Sequence, residues 1–146
     1  MKVSNIRSAA KFRQTVLLID DQATVLDIHA AILKSLKMNL KIVTMTDPVE
    51  ALEWMKNKQV DLIITDFRMH QMNGMQFVET IFNKENGSPK PVIVVTVLQD
   101  KKLHQELLTA GASACLTKPV KPEELANIAN ILLAQSKRLY ELNLVV

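Results

Sequence analysis

Five polar residues stand at the ends of apolar runs in this 146-residue chain, and their types could do chemistry together: Asp20, Asp21, Asp66, Thr96 and Lys118. Carboxylates that converge repel one another, so such a cluster raises a pKa or recruits a hard divalent cation such as Mg²⁺. With the cation bound, Asp66 stays ionised and nucleophilic. A lysine and a hydroxyl opposite it would stabilise the charge of a phosphoryl group. The set therefore indicates Mg²⁺-assisted phosphoryl transfer onto Asp66, giving an aspartyl phosphate.

Apolar runs predict the strands that must position these residues. Runs such as Leu62-Ile63-Ile64, unbroken by polar residues, are typical of parallel strands with helices on both faces of their sheet. Strands are predicted over 15–19, 40–45, 60–66, 91–96 and 113–116. Taken alone, Asp66 at the end of its strand could equally be a residue that only caps the next turn.

Helical spacing, caps and breakers predict helices between these strands. They are expected over 22–37, 47–57, 74–85, 99–110 and from 122 onward. In the first, one buried stripe is predicted to contain Val25, Ile28, Ile32 and Leu36. Strands joined by such long crossovers must be parallel, so all five should end on one edge of the sheet. The fold class is therefore α/β, and the five polar residues converge although they are scattered along the chain.

Composition limits the classes of function. Residues 1–14 carry four basic residues and no acid, which leaves 14 basic and 15 acidic residues in the rest of the chain. The body therefore lacks a basic stripe for nucleic acid, and 1–14 is expected to be a solvated basic arm. No apolar run approaches the roughly 20 residues of a membrane span. With one cysteine and no signal-peptide core, we expect a cytoplasmic protein that contacts no membrane.

From residue 15 to about 136 the chain resembles the receiver domain of two-component response regulators. The acidic pair after the first strand, the Asp-x-x-Met loop at 66–69 and Asn73-Gly74 occur in the family's order and spacing. Thr96 after the fourth strand and the Lys118-Pro119 pair complete the pattern. Each motif is weak alone, but together they are highly specific.

The resemblance implies a doubly wound five-stranded sheet in the flavodoxin-like order 2-1-3-4-5. It implies that Asp66 is the phosphoacceptor, that Asp21, Asp66 and the Arg68 carbonyl ligate Mg²⁺, and that Asp20 supports them. Thr96 would bind a phosphoryl oxygen, Lys118 would pair with the phosphoryl group, and the peptide before Pro119 is commonly cis. The partner would be a sensor histidine kinase or a histidine phosphotransfer protein. The domain would be a signalling module that catalyses only its own phosphorylation and dephosphorylation.

Three residues depart from the family pattern. His70 stands where proline is usual and could loosen the loop after Asp66. Cys115 occupies the position of the aromatic residue that turns inward on activation, so switching through Thr96 and this position cannot take its usual form. Val97 is larger than the usual small residue and could crowd the phosphoryl site.

Other readings stay open. A phosphatase that uses an aspartyl phosphate typically has a second Asp two residues after the nucleophile, where this chain has Arg68. A flavodoxin-like cofactor binder would need a hydroxyl- or glycine-rich loop after the first strand, where this chain has acids. A degenerate receiver that serves as a phosphorylation-independent scaffold is the remaining alternative.

The C-terminal residues, two histidines and the single cysteine are the remaining candidates for a role. A heptad-like series runs through Leu125, Ile128, Leu132, Leu139 and Leu142, so residues 137–146 are predicted to be a helical extension of the receiver. This extension either frays or continues into a dimer partner or an output domain. His29 and His104 are expected to be solvated or capping residues, and Cys115 a small buried hydrophobe.

Overall fold

The computed structural model describes residues 12–83 and 90–145, so most of the predicted basic arm lies outside the described residues. The strands are β1 (Gln14–Ile19), β2 (Leu40–Met45), β3 (Leu62–Asp66), β4 (Val92–Thr96) and β5 (Ala114–Thr117). The helices are α1 (Ala23–Lys34), α2 (Pro48–Met55), α3 (Gly74–Phe82), α4 (Lys101–Ala110) and α5 (Pro122–Val145). Every predicted element is present, with small shifts at the ends. The predicted end of the third helix, near Glu85, lies outside the described residues.

The sheet confirms the predicted fold class and strand order. Its five strands are all parallel and lie in the order β2-β1-β3-β4-β5. In this register Asp66 pairs with Val95, and Thr96 pairs with Thr117. The carboxyl ends of β3, β4 and β5, which carry the predicted site residues, are therefore neighbours along one edge.

Helices cover both faces of the sheet. Successive strand residues point to opposite faces, so alternate residues of one strand pack against different helices. Val16 and Leu18 belong to the core cluster that contains the inner residues of α1 and α5. Leu17 and Ile19 belong to the cluster formed with α2, α3 and α4. Strands buried on both faces need continuous apolar runs, which explains why the sequence signal for these strands was strong.

The predicted buried stripe of the first helix was wrong in part. The predicted Ile32 is buried, but Ile28 is 53% exposed, and the other buried residues of the helix are Leu26, His29, Ala30 and Leu33. The buried stripe has the same spacing of three and four residues but is rotated by about one residue, and it faces β1 and α5. The expectation that His29 is solvated or capping was also wrong, since its side chain is only 5% exposed.

Helix boundaries follow local chemistry. Asp47 caps α2 by accepting a 2.9 Å hydrogen bond from the Val49 amide, and Pro48 occupies the first turn, as predicted. Gly111 ends α4 with a φ of 126°, a conformation that strains residues with a side chain. A Cβ on Gly111 would also lie 2.7 Å from the Phe82 ring, so this glycine is needed for packing as well.

The last helix is continuous from Pro122 to Val145. Leu125, Ala129 and Leu133 are completely buried against the sheet, while Leu139 and Leu142 are 63% and 55% exposed. Its second half contacts the segment just before β1, where the ring centroids of Phe12 and Tyr140 are 4.5 Å apart. Among the described residues, none of the helices combines the length and apolar character that crossing a bilayer requires.

Candidate functional site

The loop after β3 is shaped by a close backbone approach. The Gly74 amide donates to the Phe67 carbonyl oxygen at 2.7 Å, which closes the loop directly behind Asp66. A Cβ on Gly74 would lie 3.0 Å from the Phe67 Cα, so a larger residue would push the loop outward. Asn73 and Gln76 form a reciprocal capping box that starts α3 at this point. The Asn73-Gly74 pair thus fixes the loop that carries Arg68.

Three carboxylates converge at the carboxyl edge of the sheet. One oxygen each of Asp20, Asp21 and Asp66 lies within 4.8 Å of the other two. Asp20 is 1% exposed, and its Oδ1 accepts from the Gln22 amide at 2.9 Å, which orients the carboxylate. Asp21 and Asp66 are more accessible, with side chains 28% and 11% exposed. The predicted convergence of these acids is therefore present, with the two outer carboxylates open to a ligand.

Lys118 is the cation of this cluster. Its ammonium nitrogen lies 2.9 Å from Asp20 Oδ2 and 3.1 Å from Asp66 Oδ1, so it bridges the two carboxylates. The peptide between Lys118 and Pro119 is cis, as the resemblance implied. The Lys118 amide also donates to the Thr96 carbonyl oxygen at 2.7 Å. Both the backbone and the side chain of Lys118 are therefore fixed at the tips of β4 and β5.

The electrostatics of Asp66 and Lys118 are coupled. Burial, followed by the nearby charge of Asp20, raises the pKa of Asp66, although hydrogen bonds from Lys118 and the Phe67 amide oppose this rise. Burial by itself would lower the pKa of Lys118, but its bonds to Asp20 and Asp66 outweigh burial and raise it. The lysine therefore keeps its proton, and the site has more negative charge than one ammonium neutralises.

The donor set fits a hard divalent cation. Carboxylate oxygens are the ligands that Mg²⁺ prefers. A second positive charge would offset the charge of Asp20, which adds to the effect of burial in raising the pKa of Asp66. Asp20 is almost completely enclosed, so the accessible carboxylates are those of Asp21 and Asp66. Arg68, predicted to contribute its carbonyl, follows Asp66 by two residues and has an exposed side chain.

Thr96 ends β4 beside this cluster and is 1% exposed. Its hydroxyl oxygen accepts from the Leu98 amide at 3.0 Å. The Leu98 carbonyl oxygen in turn accepts from Nε2 of His104 at 2.7 Å. Thr96 is thus at the predicted edge, with its hydroxyl held by the loop that follows it.

The residues that depart from the family pattern lie around the site. His70 is 88% exposed, and its Nε2 lies 3.7 Å from Asp21 Oδ2. Val97 is 59% exposed, so its side chain projects into solvent. Cys115 is half-buried on β5, packs on the core cluster that contains α2, α3 and α4, and has its thiol pKa raised by burial to about 11. A thiol held neutral in this way agrees with the predicted role of a small hydrophobe.

Sequence reasoning missed two histidines near the site. Burial, followed by the charge of Lys118, lowers the pKa of His29, with Asp20 acting in the opposite direction. Its place in the series Leu26, His29, Ala30 and Leu33 was the signal that could have identified it. His104 is bonded to the loop after β4, which no short-range sequence pattern encodes.

The sequence profile of the response regulator receiver domain matches residues 16–130. The chain is 30% identical over 118 residues to the cyclic di-GMP phosphodiesterase response regulator RpfG of Xanthomonas campestris pv. campestris, a match that covers 80% of this chain and 31% of that protein. It is 33% identical to a protein-glutamate methylesterase/protein-glutamine glutaminase of Chromobacterium violaceum, over 72% of this chain and 29% of that protein.

A solved structure with the same fold is the chemotaxis response regulator CheY4 of Vibrio cholerae. It superposes with a TM-score of 0.74 at 26% identity, over 84% of this chain and 100% of that one. The chain spans less than a third of the length of both curated relatives, so the similarity concerns only part of each. With the profile matched over most of its length and its site residues on one sheet edge, this chain belongs to the receiver domain family of two-component response regulators.

Proposed function

We propose that this receiver accepts a phosphoryl group on Asp66 with the help of Mg²⁺ and changes conformation to control a partner or an output domain. The observation that carries the proposal is the bridge from Lys118 to Asp20 and Asp66 beside the third carboxylate, Asp21. A buried carboxylate with a purely structural role normally has enough cations or hydrogen-bond donors around it to balance its charge. Here three acids lie close together and one ammonium contacts only two of them, an arrangement that leaves negative charge for a cation to neutralise.

The transfer step needs little from the protein beyond position and charge. An Asp66 oxygen would attack the phosphorus of a phosphohistidine, and the P–N bond would break as the O–P bond forms, with the electron pair leaving on the imidazole nitrogen. Bound Mg²⁺ would supply positive charge to the phosphoryl oxygens. Lys118, fixed by its two carboxylate contacts, would donate to one phosphoryl oxygen, and Thr96 would donate to another.

The phosphodonor would be a sensor histidine kinase or a histidine phosphotransfer protein in the cytoplasm. The receiver is proposed as a signalling module that transforms no other substrate. Direct binding of nucleic acid is not part of this proposal, because the acids and bases of residues 15–146 nearly balance. Several relatives are named as enzymes, but the match to them spans only a minor part of their length.

Self-association through the last helix is a separate proposal. Leu139 and Leu142 are exposed on one side of α5, whereas Tyr140 contacts Phe12 on another. The double variant Leu139→Gln with Leu142→Gln should therefore weaken a homodimer and leave the Phe12 contact intact. Equal sedimentation coefficients for wild type and variant, with and without beryllofluoride, would count against a dimer through this helix.

The phosphoacceptor is tested by incubation with acetyl phosphate and Mg²⁺, followed by intact-mass measurement. The wild type should gain the mass of one phosphoryl group, labile in alkali, and the gain should require the metal. Asp66→Asn should gain nothing, since the amide has the same shape but is a poor nucleophile. Asp61→Asn is the matched control, because it makes the same change at the other end of β3 and should still be modified.

The outcomes separate the competing functions. No mass gain in the wild type would favour the degenerate scaffold. A gain that persists in Asp66→Asn would move the acceptor to another residue. Steady release of phosphate from generic phosphoesters would favour the phosphatase, although an exposed arginine stands where that class has its second aspartate.

A further inference from the structure

Leu98 is held at both of its backbone polar groups. Its amide donates to Thr96 Oγ1 at 3.0 Å, and its carbonyl oxygen accepts from His104 Nε2 at 2.7 Å. Because a carbonyl oxygen can only accept, Nε2 must carry a hydrogen in this contact. We call this pair of bonds the Leu98 clamp.

The clamp connects Thr96 to the helix α4. His104 lies in the first turns of α4, where its own amide donates to the Asp100 carbonyl oxygen at 3.1 Å and Asp100 caps the helix. Leu107, one turn further on, is completely buried in the core cluster with β4. The imidazole therefore has a fixed base, and through Leu98 it limits where the loop after β4 can lie.

The same clamp restricts the orientation of the Thr96 hydroxyl. Any rotation of this side chain about its Cα–Cβ bond carries Oγ1 away from the Leu98 amide and breaks the 3.0 Å bond. Loss of the His104 bond would free Leu98 to move with the threonine or away from it. The half-buried Cys115 on the neighbouring strand has no ring that could fill or vacate space as Thr96 moves.

From this geometry we propose that His104 is a positioning residue: through the Leu98 clamp it holds the Thr96 hydroxyl in its unphosphorylated orientation and opposes its engagement with a phosphoryl group. The proposal rests on the proposed function, because it assigns Thr96 a phosphoryl contact. On this view α4 receives the signal directly, since formation of the Thr96 contact releases or displaces His104.

The test compares His104→Leu, which removes the donor at similar size, with His104→Gln, whose amide nitrogen can still donate to Leu98. Binding of beryllofluoride, a phosphoryl mimic, is titrated by calorimetry at saturating Mg²⁺. His104→Leu should bind roughly 3- to 10-fold more tightly than wild type, the range for loss of one neutral hydrogen bond from the unliganded state. His104→Gln should stay near wild type. Equal or weaker binding by His104→Leu, or the same gain in both variants, overturns the proposal.

A second measurement uses the wild type and does not depend on how the variants fold. Long-range nitrogen–proton NMR of the imidazole should show His104 protonated at Nε2, with a resonance that shifts when beryllofluoride binds. A ring protonated only at Nδ1, or a resonance that does not respond, contradicts the clamp. Wild type that binds no beryllofluoride overturns the proposed function along with this inference, whereas normal binding with no effect of His104 overturns the inference alone.

Discussion

Asp61 immediately precedes β3 and Asp66 ends it, and the two aspartates have opposite surroundings. Asp61 is 7% exposed, and its oxygens accept from the Thr15 amide at 2.7 Å and from the Ser136 hydroxyl at 3.3 Å. These donors belong to β1 and α5, so the residue joins three elements. Asp66 has a comparably small exposure but shares one lysine with Asp20 and lies beside Asp21.

The difference shows that burial does not identify a chemical site. Asp61 accepts hydrogen bonds from two donors and is not part of the acidic cluster around Asp66. Its environment therefore holds the carboxylate in one orientation. Asp66 faces other acids, and burial together with Asp20 raises its pKa. A carboxylate whose negative charge is not neutralised by its neighbours can take up a proton, a metal ion or a phosphoryl group. Asp61 thus has the surroundings of a structural carboxylate, whereas the surroundings of Asp66 suit the binding of a ligand.

The largest expected effect is a loss of folding stability when Asp61 is replaced. Asp61→Ala leaves the half-buried Thr15 amide without its acceptor and also removes the bond to Ser136, which should lower the free energy of unfolding by about 2 kcal/mol. Asp61→Asn keeps an acceptor for Thr15 and should lose less. Urea unfolding measures both, and acetyl phosphate should still modify each folded variant. An unchanged urea midpoint for Asp61→Ala would show that the amino end of β3 is not stabilised as described.

The next effect concerns the metal. Asp21→Ala removes the more exposed accessible carboxylate of the cluster without touching the Lys118 bridge. Its Mg²⁺ affinity, measured by calorimetry, should fall at least about tenfold, which corresponds to about 1.4 kcal/mol. Asp27→Ala, an exposed acid on α1, is the control for a change of net charge alone. Equal losses in both variants would mean that general electrostatics, and not ligation, explain the result.

A smaller effect of opposite sign is expected at Asp66. Its pKa is raised in the folded protein, so its contribution to stability is fully present below its unfolded pKa and is lost as pH rises through its folded pKa. At neutral pH without Mg²⁺, Asp66→Asn should therefore be more stable than wild type, by about 1 kcal/mol or less.

This gain should shrink as the pH falls and the wild-type carboxyl becomes protonated. Urea midpoints at several pH values measure the trend. A variant that is less stable than wild type at neutral pH would mean that the bond to Lys118 outweighs burial and the repulsion from Asp20.

Sequence reasoning was strongest where one strong local signal sufficed. The apolar runs that became β1, β3 and β4 gave the parallel sheet, and parallel strands bring Asp20, Asp66 and Lys118 to one edge whatever the details of packing. The strand order came from the family resemblance. The bridging position of Lys118 between Asp20 and Asp66 did not follow from either, because it depends on side-chain conformations across three strands.

The sequence did not decide which face of a helix is buried where two stripes of residues had similar periodicity. In α1 the stripes through Ile28 and through His29 have the same spacing, and only packing against β1 and α5 selects the second. In α5 the heptad-like series contains Leu139 and Leu142, which are exposed, and its use for a partner stays a prediction, while Ala129 and Leu133 outside the series are buried. A helix that is apolar on more than one face does not reveal from sequence which face the sheet covers.

The smallest expected effect concerns how long the phosphoryl group survives at the carboxyl end of β3. Arg68 and Leu98 each follow a site residue by two positions, Asp66 and Thr96 respectively. Arg68 is exposed and Leu98 is half-buried, so both can flank the approach of water to phosphorus. Hydrolysis needs water in line with the breaking O–P bond, and a guanidinium beside an apolar side chain can obstruct that path.

The double variant Arg68→Ala with Leu98→Ala should therefore shorten the aspartyl-phosphate half-life several-fold, less than the tenfold change that about 1.4 kcal/mol would give. Mg²⁺ affinity should change little, because Arg68 is proposed to ligate through its backbone carbonyl and Leu98 keeps its backbone bonds to Thr96 and His104. The half-life is followed by loss of the phosphoryl mass after the phosphodonor is removed. The single variants separate the two side chains, and decay of the double variant at the wild-type rate would mean that neither shields the phosphorus.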